Sequence, residues 1–421
     1  MTARATPPQK QGSSPREVAS GLRYVARQPI LDRHGRVHGY ELLFRDGPEQ
    51  VFRGDGDLAT QTMFDNTILF GIEQLTGSLP AFVNCTEEAL TGPLVHILPS
   101  GMTVLEILET VEPTPSLMDA CRKLKAAGFR LALDDFVWKP EYEPLIALSD
   151  YIKIDFIAMS AAERADLVRR LHGSPVCLIA EKVETQADFE TAQKEGFRLF
   201  QGYYFCRPVL MKSRKIPPNR LLQIEILRFL QNDEFDMRRL SQLVMRDAAL
   251  IDRLLRMVNS PVFAVRTEVI SVESALMAVG EDSFRRMAAL AIASEINAEQ
   301  PPELLRMAFV RARFCELGAK VCGLDANEQY LVGLLSLFPV MLKTGMNELV
   351  GSLPLRKEIC EALLGTENRE RLLIQWIERY ELGDWAACDA VLPLLALTQD
   401  QAVRCYSQAL EWAEKALHFS R

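Results

Sequence analysis

Residues 128–136 read GFRLALDDF, Gly128 to Phe136. A segment with helical spacing, Leu117 to Ala127, ends at Gly128. The short apolar run Phe129 to Leu133 follows, and then two adjacent acids, Asp134 and Asp135. An apolar run between a helix and a charged tip reads as a parallel strand buried on both faces. Acids at the C-terminal end of such a strand stand where α/β proteins place their chemistry. Two neighbouring anions repel, so the pair implies a cation, a shared proton or a solvated turn. An isolated Asp-Asp pair reads first as a turn. Other strands must deliver matching groups before it reads as a site.

They do. Tyr24 to Ile30, Val37 to Phe44, Ala81 to Val83, Thr103 to Ile107, Tyr151 to Ile154, Val176 to Ala180 and Arg198 to Phe200 all read as short strands. Asp32 to Gly35 forms a turn between the first two. Helical segments separate several of the others, notably Leu58 to Ile72, Ala161 to Leu171 and Gln186 to Glu195. Strands alternating with helices predict a parallel sheet, and the number of repeats favours a closed barrel over an open sheet. Glu41, Asn84, Glu106, Asp134, Asp135, Lys153, Glu181 and Gln201 lie at or near the strand ends, which converge on one rim of a barrel. Buried charges need partners, and a set this acidic reads as a hard-cation site suited to magnesium or manganese. Two such ions activate a water and hold both oxygens of a phosphodiester. Lys153 would neutralise phosphate charge or orient the water, and Arg45 would pair with a phosphate oxygen.

The 421 residues carry a net charge of -8 and are 48% hydrophobic, enough for two or three soluble domains. No apolar run reaches the ~18 residues of a membrane span. Residues 1–21 read as a flexible leader without the apolar core of a secretory signal. The nine cysteines form no CxxC pair, which disfavours structural zinc and fits the reducing cytoplasm. The acidic balance disfavours nucleic acid as a partner and leaves little support for a general nuclease. His34, His38, His96 and His172 have no ligand-like spacing and read as packed or solvated.

With these motifs in order, the first half resembles the EAL domain family, which hydrolyses or binds cyclic di-GMP on a TIM-like (β/α)8 barrel. The resemblance runs over about 24–211. It rests on RQPI (Gln28 to Ile30), ELLFR (Glu41, Leu43, Arg45), FVN (Asn84), LEILE (Glu106, Glu109), ALDDF (Asp134, Asp135), YIKID (Lys153), IAEKVET (Glu181, Glu184) and FQGYYFCRP (Gln201, Gly202, Arg207, Pro208). It implies that Glu41, Asn84, Glu106 and Asp134 ligate one Mg2+ or Mn2+, that Asp135 is shared with a second ion, and that Glu181 serves the metal and its water. It further implies that Lys153 assists the water and that Gln28, Leu43, Arg45 and Gln201 face the nucleotide. Glu109 and Glu184 would support the loop and its neighbours. Tyr203 and Tyr204 read as packing, and Trp138 as a loop cover or a ligand contact.

The chain departs from that family after the acids. Active relatives carry a flexible Gly-Thr-Gly type segment there, tied to dimerisation. Here Val137, Trp138 and Pro140 stiffen a shorter loop, and Lys182 replaces the usual glycine after Glu181. The expectation is a site that binds metal or nucleotide while hydrolysis is weak, conditional or absent. The alternative is an active phosphodiesterase releasing pGpG. A homodimer is among the assemblies the resemblance implies.

Residues 212–219, KSRKIPPN, read as a linker between a barrel over 22–211 and a helical domain over 220–421. Leu221 to Leu230, Met237 to Met245, Ala248 to Val258, Val272 to Met277, Glu303 to Leu324 and Leu331 to Lys343 carry helical apolar spacing. This part resembles the HDOD domain through Asp247 and Leu250, Asn259-Ser260, Ala275 and Gly280, with a looser helical extension to the C-terminus. It lacks a His-Asp pair, so no second hydrolytic centre is expected, and the resemblance implies regulation or a protein partner. Asn259-Ser260 reads as a helix closure. Leu372, Leu373, Trp376, Ile377 and Tyr380 form an apolar stripe that reads as core, with a partner surface as the other reading.

Overall fold

A computed structural model describes residues 24–45, 72–202, 204–205, 222–223, 225–227, 240, 243–244, 247–259, 269–353 and 355–420. The expected leader, the linker 212–219, residues 58–71 of the expected helix Leu58 to Ile72, Tyr203, Arg207, Pro208, Ser260 and the Arg45 side chain lie outside the described residues.

Eight strands close into a barrel in sequence order: β1 (Tyr24–Asp32), β2 (Val37–Arg45), β3 (Ala81–Cys85), β4 (Thr103–Ile107), β5 (Arg130–Leu133), β6 (Tyr151–Asp155), β7 (Cys177–Glu181) and β8 (Leu199–Gln201). Each expected strand is present within two residues of its predicted ends. The sheet is not wholly parallel, however. β1 runs antiparallel to both β2 and β8, whereas β2 through β8 are parallel. The cause is local: β1 and β2 are joined by a tight turn in which Asp32 accepts from the amides of His34 and Arg36. So short a connection can only return the chain antiparallel.

The outer helices follow their local signals. Helix α1 (Pro115–Ala126) opens on Thr114, whose hydroxyl accepts from the Leu117 amide, with proline in its first turn. Helices α2 (Ala161–Arg170) and α3 (Gln186–Glu195) each begin with a reciprocal cap, Ser160 with Glu163 and Thr185 with Asp188. α3 ends at Gly196 in the left-handed region.

From α4 (Ala248–Val258) onward every regular element among the described residues is helical. Asp247 caps α4. Asn259 closes it as expected, its amide donating to the Val269 carbonyl (2.8 Å) while its carbonyl oxygen accepts from the Val269 N–H (2.7 Å). Leu250 and Ala275 are buried, and Gly280 ends the helix Val272–Val279 at φ 78°. The long helix α5 (Pro302–Cys322) runs through the domain core and packs against α7 (Gln399–Ser420). The expected helix Leu331 to Lys343 is broken into Ala326–Leu335 and Phe338–Leu342, because Pro339 opens a new first turn. On α6 (Leu372–Glu381), Leu373, Trp376, Ile377 and Tyr380 are core, and Leu372 is half-buried. Trp376 stacks on Phe314 and Tyr380. No helix among the described residues is long and apolar enough to cross a membrane.

Candidate functional site

The site follows from the two-residue period of the strands. A compact apolar layer inside the barrel consists of Ile30, Phe82, Val104, Ala132, Tyr151, Ile179 and Leu199. Two residues further along β3, β4, β6, β7 and β8, on the same face, stand Asn84, Glu106, Lys153, Glu181 and Gln201. Asp134 stands two beyond Ala132, just past the end of β5. In antiparallel β1 the offset reverses, so Gln28 precedes Ile30, and it pairs across the hairpin with Glu41. The polar layer therefore sits on an apolar floor at the C-terminal rim.

At its centre is the ammonium of Lys153, a side chain 1% exposed. Its Nζ lies 2.9 Å from Glu106, Asp134 and Glu181, and 3.2 Å from Glu41. Glu41 also accepts from the amides of Asn84 (3.3 Å) and Gln201, and Gln201 donates to Gln28 Oε1 at 2.8 Å. The backbone behind the acids is pinned, with Asp134 N–H on the Ile107 carbonyl and Phe136 N–H on the Lys153 carbonyl, both 3.0 Å.

The charges are uneven. Burial opposes ionisation of Glu41, yet Lys153 and the donors from Gln201 and Asn84 outweigh it and hold Glu41 below the usual carboxylate range. Burial dominates at Glu106 and pushes it well up, with repulsion from Glu41 and Asp134 adding to the rise. Burial likewise raises Asp134, and it raises Glu181 to about 8 against the pull of Lys153. Burial would strip the proton from Lys153, but the four surrounding acids reverse that and raise it further. This is a nest of acids arranged around a cation.

Not every expected residue joins it. Asp135 turns outward, 45% exposed at its side chain, with its oxygen 4.0 Å from Lys182 Nζ. Glu109 is exposed, and Glu184 is half-buried. Leu43 lies against Gly383 of the helical domain. Tyr204 packs as expected, stacked on Phe189. Trp138 is half-buried, with the Arg170 guanidinium 5.3 Å from its ring centroid.

Positive φ falls on Asp135 (38°) and Lys182 (54°), and Val137 is spared. The left-handed turn thus falls on the acid before the loop, a residue type that tolerates it better than valine. The loop itself folds into a short 3-10 turn, Pro140–Tyr142, and the helix Glu143–Ile146.

Asp155 escaped the sequence reading. It pairs with Lys182 at 2.5 Å and accepts from the Ile157 and Ala158 amides. Its place at the end of the strand YIKID, two residues beyond Lys153, was the available signal. Gly202 follows Gln201 at φ 143°, where a Cβ would stand 2.2 Å from the Val183 carbonyl oxygen. That close approach fixes the strand end carrying Gln201.

Among the described residues, no three or more His, Cys, Asp or Glu side chains form a ready metal cage. The donor chemistry nevertheless fits a hard divalent cation. Asn84 Oδ1 and Glu106 Oε2 are buried without a hydrogen-bond partner, and the oxygens around them already converge on a positive charge.

Two family models match successive stretches of the chain. The EAL domain model matches residues 86–208, and the HDOD domain model matches 216–344. A Vibrio cholerae protein named cyclic di-GMP phosphodiesterase CdgJ is 34% identical over 415 residues, covering 97% of this chain and 96% of the relative. The chain belongs to the EAL–HDOD family. YuxH of Bacillus subtilis, an uncharacterized protein, is 31% identical over 405 residues, covering 94% of this chain and 98% of that protein. Among solved structures, Klebsiella pneumoniae BlrP1 in its calcium and cyclic di-GMP complex aligns with TM-score 0.38 and 23% identity, over 46% of this chain and 58% of that one. The PaMucR phosphodiesterase complex with cyclic di-GMP aligns with TM-score 0.36 and 21% identity, over 44% and 92%.

Proposed function

We propose that this EAL–HDOD protein is a cyclic di-GMP signalling protein whose barrel binds the nucleotide with a divalent cation and hydrolyses it only conditionally. The observation that carries this is the Lys153 ammonium, 2.9–3.2 Å from four acids of the polar layer. A divalent ion, Mg2+ or Mn2+, would supply an activated water and charge neutralisation at a phosphodiester. Glu41, Asn84, Glu106 and Asp134 would hold it, and a second ion would need Asp135, which now faces Lys182. Lys153 holds the acids together and presents a positive charge at the rim. Glu181, raised by burial to about 8 and 2.9 Å from Lys153, would serve the activated water. Gln28 and Gln201 form an amide pair at the edge of the layer and would orient the nucleotide, with Arg45 further along the same strand as Glu41.

Two features support conditional hydrolysis: the Lys153 ammonium stands among the acids, and Asp135 turns outward at φ 38° just before the loop bearing Val137, Trp138 and Pro140. The helical domain, joined through 212–219, is the regulatory or partner-binding part. An unconditionally active enzyme is the second reading, favoured by the name and full-length match of the Vibrio cholerae relative.

The deciding experiment measures Mn2+ binding, cyclic di-GMP binding and pGpG formation with Mg2+ or Mn2+, for wild type and Glu41→Ala. Nucleotide binding with turnover only under particular metal or partner conditions supports the proposal. Full steady-state turnover with Mg2+ alone supports the second reading. Loss of all binding in the wild type overturns both.

A further inference from the structure

In a parallel barrel, the helix following each strand covers its outer face. The tight β1–β2 connection leaves no room for such a helix, and the C-terminal domain covers this hairpin instead. The cover runs along its whole length. At the turn, Gly35 lies against Pro301, so closely that a Cβ there would stand 2.8 Å from the proline ring. In the middle, Tyr40 is fully buried and its hydroxyl donates to Glu303 of α5 at 2.8 Å. On β1, Val25 accepts at its carbonyl from the Tyr380 hydroxyl of α6, 3.2 Å away. Near the end of β2, Leu43 meets Gly383.

The middle contact is charged. The Arg27 guanidinium lies 4.6 Å over the Tyr40 ring and donates to the Leu75 carbonyl and to Glu414 of α7, the latter at 3.4 Å. Arg306 bridges Glu303 (3.0 Å) and Glu414. Two guanidiniums thus meet two carboxylates in a seam buried at Arg27 and Glu303 and partly open at Arg306 and Glu414. Such a seam adds little net stability over an apolar one, but it permits only one register.

Strand alternation makes that register matter to the site. Tyr40 points outward and its neighbour Glu41 inward. Arg27 points outward and its neighbour Gln28 inward. A crevice of about 20 Å3, lined by Arg27, Gln28, Gly202, Glu303, Arg306 and Tyr406 among others, joins the seam to the edge of the polar layer.

We propose that Glu303 of the helical domain is a positioning residue for Glu41 of the barrel, holding the β1–β2 hairpin through Tyr40 so that Glu41 and Gln28 face the cation. This inference rests on the reading of the barrel as a cation site. Through it the helical domain sets the affinity of that site without touching it.

The test uses the full chain, with Mn2+ as the probe followed by electron paramagnetic resonance, and with hydrogen exchange of the Val37–Arg45 segment. Glu303→Ala should weaken Mn2+ binding about tenfold, as loss of the partners of metal ligands does elsewhere, and should speed exchange in β2 while β6 is unchanged. Glu303→Gln keeps an acceptor for Tyr40 and should restore binding to within about threefold. Tyr40→Phe, a milder change, should weaken binding in the same direction. Glu195→Ala breaks the remote Arg164 pair and should leave Mn2+ affinity alone. A folded Glu303→Ala protein with wild-type Mn2+ affinity, or one weakened no more than Glu195→Ala, overturns the inference. Should wild type bind no Mn2+, the cation reading fails, and the exchange data decide alone: unchanged β2 protection in both Glu303→Ala and Tyr40→Phe overturns the positioning role.

Discussion

Replacing Lys153 with Ala would remove the only ammonium among the described residues of the inner acidic layer and leave Glu41, Glu106, Asp134 and Glu181 facing one another. At 3.2 Å, the pair with Glu41, the acid held ionised, gains roughly 5 kcal/mol of Coulomb attraction at an effective dielectric of about 20, most of it offset by desolvation. Removing one partner leaves the others uncompensated, which costs about 3–5 kcal/mol. For a cooperative unit of ordinary domain size that is a fall in Tm of about 10 °C. The penalty should be larger at pH 8.5 than at pH 7, because Glu181 is raised to about 8 and gives up its proton only as pH rises through that value. Mn2+ should then do what the ammonium did: at a hundredfold excess over its Kd it returns about 2.7 kcal/mol. The assay is thermal unfolding of wild type and Lys153→Ala at pH 7 and 8.5, with and without Mn2+. A variant as stable as wild type at pH 7 without metal would refute the electrostatic reasoning. So would a variant that Mn2+ stabilises no more than it does wild type.

Three further outcomes are expected. Asn259→Ala removes both hydrogen bonds to Val269 and should cost about 2 kcal/mol by denaturant unfolding, with the helical content retained. Gly202→Ala places a Cβ against the Val183 carbonyl in a conformation almost confined to glycine, and should cost at least ~3 kcal/mol and abolish cyclic di-GMP binding measured by calorimetry. His38 donates to or accepts from Tyr151 at 3.0 Å, and burial followed by Arg130 lowers its pKa from the ordinary 6.5. The unfolded chain therefore takes the proton first, so this contribution to stability is present above about pH 6.5 and is lost as pH falls through the lowered value. His38→Gln should flatten that part of the stability profile measured between pH 5 and 7.

The barrel was legible because its signals are local. Short apolar runs such as Leu131 to Leu133 end in a polar residue, and Thr114, Ser160 and Thr185 mark helix starts. The membership of the polar layer was legible for the same reason, since one inward residue per strand follows from strand phase. Its arrangement was not. Phase cannot say that Lys153 sits at the centre, because that depends on side-chain length across the barrel. Nor can it say that Asp135 faces away, because that depends on a backbone turn at φ 38°. The antiparallel β1 was implied by the turn Asp32 to Gly35 but lost in the general βα rhythm. Glu303 was invisible as a partner of Tyr40 because 263 positions separate them.

The clasp around the β1–β2 hairpin also bears on how such a chain can be inherited. A barrel whose outer wall is supplied by another domain cannot be exchanged freely by recombination. A new C-terminal partner would have to bring an acceptor for Tyr40, carboxylates for Arg27 and a glycine opposite Leu43, all at once. The two halves should therefore travel as one unit and change in step. The Vibrio cholerae and Bacillus subtilis relatives, each aligned across more than nine-tenths of its length, are related to this chain in that whole-length manner.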